Sequence, residues 1–232
     1  MVQYKRYIEK TKEHIMIKHH SAYDRIVWDF NGTILDDLWH GIHAVNTLLR
    51  KRNLPEILDL DRYYSVFGFP IQEYYGKLGL LDNDDYDVVA VEWITEYRRE
   101  EASIPPRHDA VALIQKLHQK GVKQTVLSAS EKGMLTQQLG YLDLLPYFDD
   151  ILGRGDIYAA DKTKIAVAYR KAHPEERVLM IGDTDHDYET ASAAGFDCVL
   201  VAGGHQSIAY LKTLGCDVAE SFKELEDILL AN

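Results

Sequence analysis

Three carboxylates in this chain stand just past short apolar runs, where a β-strand would end. Asp29 follows Arg25-Ile26-Val27-Trp28, while Asp183 and Asp187 follow the run from Arg177 to Ile181. Asn31 and Thr33 come directly after Asp29, and Ser128 closes a third apolar run that begins at Lys123. Carboxylates at the tips of neighbouring strands form an oxygen-rich pocket suited to a hard divalent cation such as Mg²⁺. Taken one at a time, each Asp also reads as a cap for the helix or turn that follows it. Three strand ends carrying such residues together point to one site.

The elements that must position these residues follow from the apolar pattern. Residues 1–22 read as an extension with partial helical spacing at Tyr4, Ile8, Ile15 and Ile17. A strand over 25–28 then ends at Asn31-Gly32-Thr33, a turn signal. From about Leu38 to Ser103 the spacing is helical, broken at Asn53-Leu54-Pro55, Phe67-Gly68-Phe69-Pro70 and Asp82-Asn83-Asp84-Asp85, which predicts about four helices. After Ile104-Pro105-Pro106 short apolar strands alternate with helices: strands at 123–127, 151–152, 177–181 and 198–201, with helices at 110–119, from 132, from 164, at 187–194 and at 222–230. That alternation predicts an α/β fold, a Rossmann-like parallel sheet with helices on both faces. Ligands bind such sheets at the carboxyl ends of the strands. The expected division is an extension over 1–22, a core over 23–37 and 105–232, and an inserted helical unit over 38–104.

Composition narrows the function class. The chain has 232 residues, 46% of them hydrophobic, enough to bury a proper core. No apolar run approaches the ~20 residues of a membrane span, and the charged first twenty residues do not resemble a secretory signal, so a cytoplasmic address is the expectation. A formal net charge of −11 argues against a nucleic-acid partner, which needs a basic face. It is compatible with small phosphorylated ligands, because a bound cation reverses the local field. Cys198 and Cys216 lack a paired-ligand spacing and read as buried thiols. Nothing in the pattern fixes an oligomeric state.

The strand-end residues carry a family resemblance. Val27-Trp28-Asp29-Phe30-Asn31-Gly32-Thr33-Ile34-Leu35-Asp36 resembles the first motif of the haloacid dehalogenase-like superfamily, Asp-x-Asp-Gly-Thr after an apolar strand. Thr125 to Ser130 resembles its second motif, Lys162 its third, and Ile181-Gly182-Asp183-Thr184-Asp185-His186-Asp187 its fourth, so that the resemblance spans residues 25–230. It implies a Mg²⁺-dependent phosphatase for small phosphorylated metabolites, broadly similar to phosphoglycolate phosphatases. Asp29 would attack phosphorus, forming an aspartyl-phosphate. Asp29, the Asn31 carbonyl, Asp183 and Asp187 would serve the metal, and Asp187 would also orient the lysine or a metal-bound water. Ser128 and Lys162 would bind the phosphoryl group, with Lys164 as rival lysine. Thr33, Ala129 and Phe69 are the candidate substrate contacts. The inserted helices match the position of the family's cap, with hinges near Asp36-Asp37 and Ser103-Ile104-Pro105.

One residue departs from the pattern. Where most phosphatases of this family carry an Asp acid/base, this chain has Asn31. An amide cannot donate and regain a proton near neutral pH, and such a loss is commonly worth about 10² to 10⁴ in rate. Three readings remain open: substrates whose leaving groups need no proton, such as acyl or aryl phosphates; a substitute among Asp36, His40 and His43; or a phospholigand-binding protein with little or no turnover. The family's dehalogenating branch needs no metal and sits badly with the acidic fourth motif. Its phosphonate-cleaving branch needs a cap lysine, for which Lys77 is an ordinary solvated alternative. Phe67-Gly68-Phe69-Pro70 either reaches substrate or staples the inserted helices. Tyr63, Tyr64, Tyr74 and Tyr75 read as packing residues with hydroxyls in solvent.

Overall fold

A computed structural model describes residues 17–155 and 162–231. The expected extension lies outside the described residues up to position 16; from Ile17 the chain rests on the core, its N–H bonded to Asp217 at 2.7 Å.

Among the described residues six parallel strands form one sheet: β1 (Arg25–Trp28), β2 (Lys123–Glu131), β3 (Asp150–Arg154), β4 (Val178–Gly182), β5 (Asp197–Val201) and β6 (Asp217–Ala219), in the order β3-β2-β1-β4-β5-β6. This is the doubly wound order, whose crevice lies where the winding reverses, beside β1. Side chains alternate across a strand, so Ile26 and Trp28 enter one apolar cluster and Val27 the other. All four residues of β1 are buried, as a central parallel strand requires.

The helices among the described residues are α1 (Leu38–Lys51), α2 (Leu60–Val66), α3 (Ile71–Lys77), α4 (Tyr86–Arg98), α5 (His108–Gln119), α6 (Lys132–Tyr141), α7 (Lys162–Ala172), α8 (Asp185–Ala194), α9 (Ile208–Leu211) and α10 (Phe222–Leu229). Helices α1 to α4 enclose a cluster of their own, including Ile42, Val45, Leu49, Tyr63, Tyr74 and Val89. The chain leaves the sheet and returns to it at one place, where Asp36 N–H bonds the Pro105 carbonyl at 3.0 Å and Leu35 pairs with Pro106. The short strand β6 and helix α9 escaped the sequence pattern, since three and four residues are too few to show a period. Helices α7 and α8 also start two residues earlier than expected, at Lys162 and Asp185. Cys198 is buried, but Cys216, expected to be buried too, is only half so.

Register puts the strand tips level. Trp28 pairs with Val126 on one side and Ile181 on the other, so Asp29, Ser128 and Asp183 emerge at one edge. At the opposite end, the buried Arg25 guanidinium donates to Thr125 at 2.8 Å, Asp150 at 3.0 Å and Glu176 at 3.1 Å, tying β2, β3 and the β4 approach to β1. Arg25→Met is expected to lower stability by about 3 kcal/mol, because it leaves the shielded Glu176 without a cation, with only the Tyr169 hydroxyl at 2.6 Å. Urea unfolding checks this, and an unchanged midpoint would mean the triad is dispensable.

Candidate active site

The strand tips bring three buried carboxylates together: Asp29, Asp183 and Asp187 offer oxygens within 4.8 Å of one another. The ammonium of Lys162, the first residue of α7, lies between Asp29 and Asp187 and bonds both. Lys164, the rival for that position, is exposed two residues on, on the other face of the helix. Burial pulls the Lys162 pKa down, but the charges of Asp187 and Asp29 outweigh it and hold the group above the ordinary lysine value. Asp29 shows the reverse balance: burial and the neighbouring Asp187 raise it well above the carboxylate range, with Lys162 opposing.

Each carboxylate is held by its local fold. Asp187 Oδ2 accepts the Asp183 N–H at 3.1 Å, the Thr184 N–H at 3.0 Å and the Thr184 hydroxyl at 2.8 Å, at the start of α8. The capping role and the site role thus coincide in one side chain. Asp183 accepts from the Thr33 hydroxyl at 2.9 Å and from the His205 N–H at 2.6 Å. Thr33 is fully buried with its hydroxyl spent on Asp183, so it braces that carboxylate where a substrate contact was expected. The close approach demands glycine at position 32, where φ is +76° and a Cβ would stand 2.3 Å from Asp183 Oδ2.

Ser128 is buried at the end of its apolar run, its Oγ accepting the Ser130 N–H at 3.0 Å, while Ala129 beside it is exposed. The candidate substitutes for a missing acid turn away. Asp36 and His43 are exposed, and the His40 ring bonds the Tyr97 carbonyl at 2.7 Å. Lys77 is likewise exposed. The group that does enter the site is His205, from the loop after β5. Its Nε2 lies 3.2 Å from Asp37 Oδ1 and its Nδ1 2.8 Å from the Tyr63 hydroxyl. Burial alone would lower its pKa, but Asp37 and then Asp183 push it up to about 9, so it stands as an imidazolium. Sequence reasoning missed it although it obeys the same rule as the rest, a polar residue just past a strand end.

Between the inserted helices and the sheet runs an aromatic seam. Phe67 stacks on His205 with ring centres 5.3 Å apart, and Phe69 stacks on His186 at 4.8 Å. The Phe-Gly-Phe-Pro loop therefore fastens the insertion to the core, beyond merely stapling its own helices. Tyr63, Tyr74 and Tyr75 are buried, and the Tyr63 and Tyr64 hydroxyls bond His205 and the Gly204 carbonyl, correcting the expectation that these hydroxyls reach solvent.

A model of the haloacid dehalogenase-like hydrolase family matches residues 26–201. The chain belongs to that family. It is 26% identical to a phosphoglycolate phosphatase of Aquifex aeolicus over 78% of this chain and 85% of that one. Identity is also 26% to the phosphoglycolate phosphatase of Caulobacter vibrioides, over 86% and 88% of the two chains. The fold is shared with the Mycobacterium tuberculosis protein tyrosine kinase A (PtkA), at a TM-score of 0.73 and 20% identity over 88% of this chain and 97% of that one.

The donor set fits a divalent cation. Carboxylate oxygens are its natural ligands, and burial, aided by the neighbouring Asp187 and opposed by His205, raises Asp183 to about 6. A carboxyl whose folded pKa exceeds its unfolded one holds its proton more tightly when folded, so its contribution to stability is lost as pH rises through about 6. Mg²⁺ is therefore expected to raise the melting temperature over EDTA more near pH 7.5 than near pH 5, and Asp183→Asn to remove that difference. Differential scanning fluorimetry reads it; an equal rise at both pH values would contradict a metal seated on Asp183.

Proposed function

We propose that this protein is a Mg²⁺-dependent phosphatase of small phosphorylated metabolites, working through an aspartyl-phosphate on Asp29. The observation that carries it is the Lys162 ammonium bonded to Asp29 and Asp187 beside Asp183, at the edge where Ser128 also emerges. A buried carboxylate has little use as a nucleophile when protonated; burial and Asp187 raise Asp29, Lys162 opposes them, and a bound cation would add to its pull.

Asp29, Asp183 and the main-chain carbonyl of Asn31 would hold the cation. When bound it would neutralise charge on the transferring phosphoryl group. Asp187 has oxygens engaged by Lys162 and by the main chain of Asp183 and Thr184, so it orients the lysine and stands behind the ligand set. Asp29 attacks phosphorus and the phosphorus–leaving-group bond breaks. Lys162 and the Ser128 hydroxyl hold phosphoryl oxygens, and water then returns Asp29 to the carboxylate.

Helices α1 to α4 act as the cap. Asp29 and Asp183 are buried beneath it, so substrate enters when the seam of Phe67, Phe69 and Tyr63 parts from His205 and His186. Phosphoglycolate, for which the two relatives are named, is the reference ester, and its alkoxide needs a proton to leave. Asn31 points further, toward acyl and aryl phosphates, whose leaving groups depart without a proton.

The test is phosphate release from acetyl phosphate, p-nitrophenyl phosphate and phosphoglycolate, with Mg²⁺ or EDTA, for wild type and Asp29→Asn. Turnover that needs Mg²⁺ and falls at least about 10³-fold in Asp29→Asn is expected. Wild type indistinguishable from Asp29→Asn on every substrate would leave a phospholigand-binding protein in place of an enzyme.

A further inference from the structure

Asp37 occupies the N-cap position of α1, with φ −104° and ψ 5°, and its side chain makes no capping hydrogen bond. An aspartate there ordinarily turns back on the first N–H groups of its helix. This one is 3% exposed and faces the site. Its Oδ1 accepts the Gly32 N–H at 2.8 Å and faces His205 Nε2 at 3.2 Å; its Oδ2 accepts from Asn31 Nδ2 and from the Tyr97 hydroxyl, both at 2.8 Å.

That arrangement fixes the Asn31 amide. Its NH₂ donates to Asp37 and lies 3.2 Å from the Tyr97 oxygen, while its carbonyl is left toward Ser130 Oγ at 3.4 Å. Flipping the amide would set its oxygen 2.8 Å from a carboxylate oxygen, acceptor against acceptor. The orientation follows from Asp37 whichever way the terminal atoms are first assigned. A carboxylate at position 31 would meet the same obstacle with a full charge.

We propose that Asp37 is a positioning residue that locks Asn31 with its amide carbonyl toward Ser130, at the strand end that carries Ser128, so that residue 31 serves as a fixed hydrogen-bond acceptor and the site is specific for leaving groups that need no proton. Asn31 and Asp37 then form one unit, an amide and a carboxylate in fixed positions. Restoring an acid at 31 requires removing the charge at 37. The inference rests on the phosphatase reading for its consequence in turnover, though not for the lock itself.

The experiment is a double-mutant cycle of Asn31→Asp, Asp37→Asn and the reciprocal double variant, on phosphate esters of rising leaving-group pKa from p-nitrophenyl phosphate to glycerol phosphate. On glycerol phosphate the double variant is expected to exceed wild type by about 10² or more in kcat, and Asn31→Asp alone to stay within about tenfold of it. The dependence on leaving-group pKa flattens only in the double variant. Asn31→Asp alone matching the double variant would overturn the proposal.

A second measurement is independent of turnover. The Asn31 side-chain NH₂ resonances in a ¹⁵N–¹H spectrum, assigned by their loss in Asn31→Asp, should exchange slowly in wild type and at least about tenfold faster in Asp37→Asn. Thermal melts establish that each variant is folded, and Asp37→Ser replaces Asp37→Asn if the latter is not. Unchanged exchange in a folded Asp37 variant would remove the lock. Slow exchange without any Asp29-dependent turnover would keep the lock and sink the phosphatase reading.

Discussion

A single buried ammonium set among three buried carboxylates governs the architecture around it. Lys162 joins Asp29 at the tip of β1 to Asp187 at the head of α8, with Asp183 beside them. Ions so far from water are tolerated only when paired and hydrogen-bonded, and the surroundings supply those partners. Thr33 and the His205 N–H hold Asp183, Thr184 holds Asp187, and Gly32 leaves room for the approach. The charges still do not balance. The surplus of negative charge is what suits the cluster to a divalent cation and makes its acidity sensitive to one.

The second constraint is the seam between the inserted helices and the sheet. The insertion has its own apolar cluster, while Ala44 and Tyr97 join it to the cluster of the core. Its contact with the core near the site is made of ring stacking and a few hydrogen bonds, Phe67 on His205, Phe69 on His186 and the Tyr63 and Tyr64 hydroxyls on residues 204 and 205. Such a contact is specific in geometry and modest in strength, each aromatic pair adding about 1 kcal/mol beyond its buried area. A cap that must open for substrate and close to exclude water is served by a seam of that kind.

Asp37 and His205 connect the two constraints. His205 gives its N–H to the Asp183 carboxylate and its ring to Asp37 and Tyr63, so one residue touches the acid cluster, the start of α1 and the inserted helix α2. Asp37 in turn orients Asn31. Asn31 is thus embedded in a hydrogen-bonded network.

The sequence by itself determined a parallel sheet, the chain positions of its main strands, the helical insertion and the short list of candidates Asp29, Asn31, Ser128, Lys162, Asp183 and Asp187. Period and strand-end position are local properties, and they survive folding because a doubly wound sheet collects its strand tips at one edge. Only the tertiary structure chose Lys162 over Lys164, since a difference of two residues on a helix is a difference of face. It also turned Thr33 toward Asp183, carried Phe67 and Phe69 across to two histidines, and brought His205, Tyr63 and Tyr97 around Asp37. Those contacts join residues up to 168 positions apart. No periodicity along the chain encodes them, because they exist only where packed elements meet.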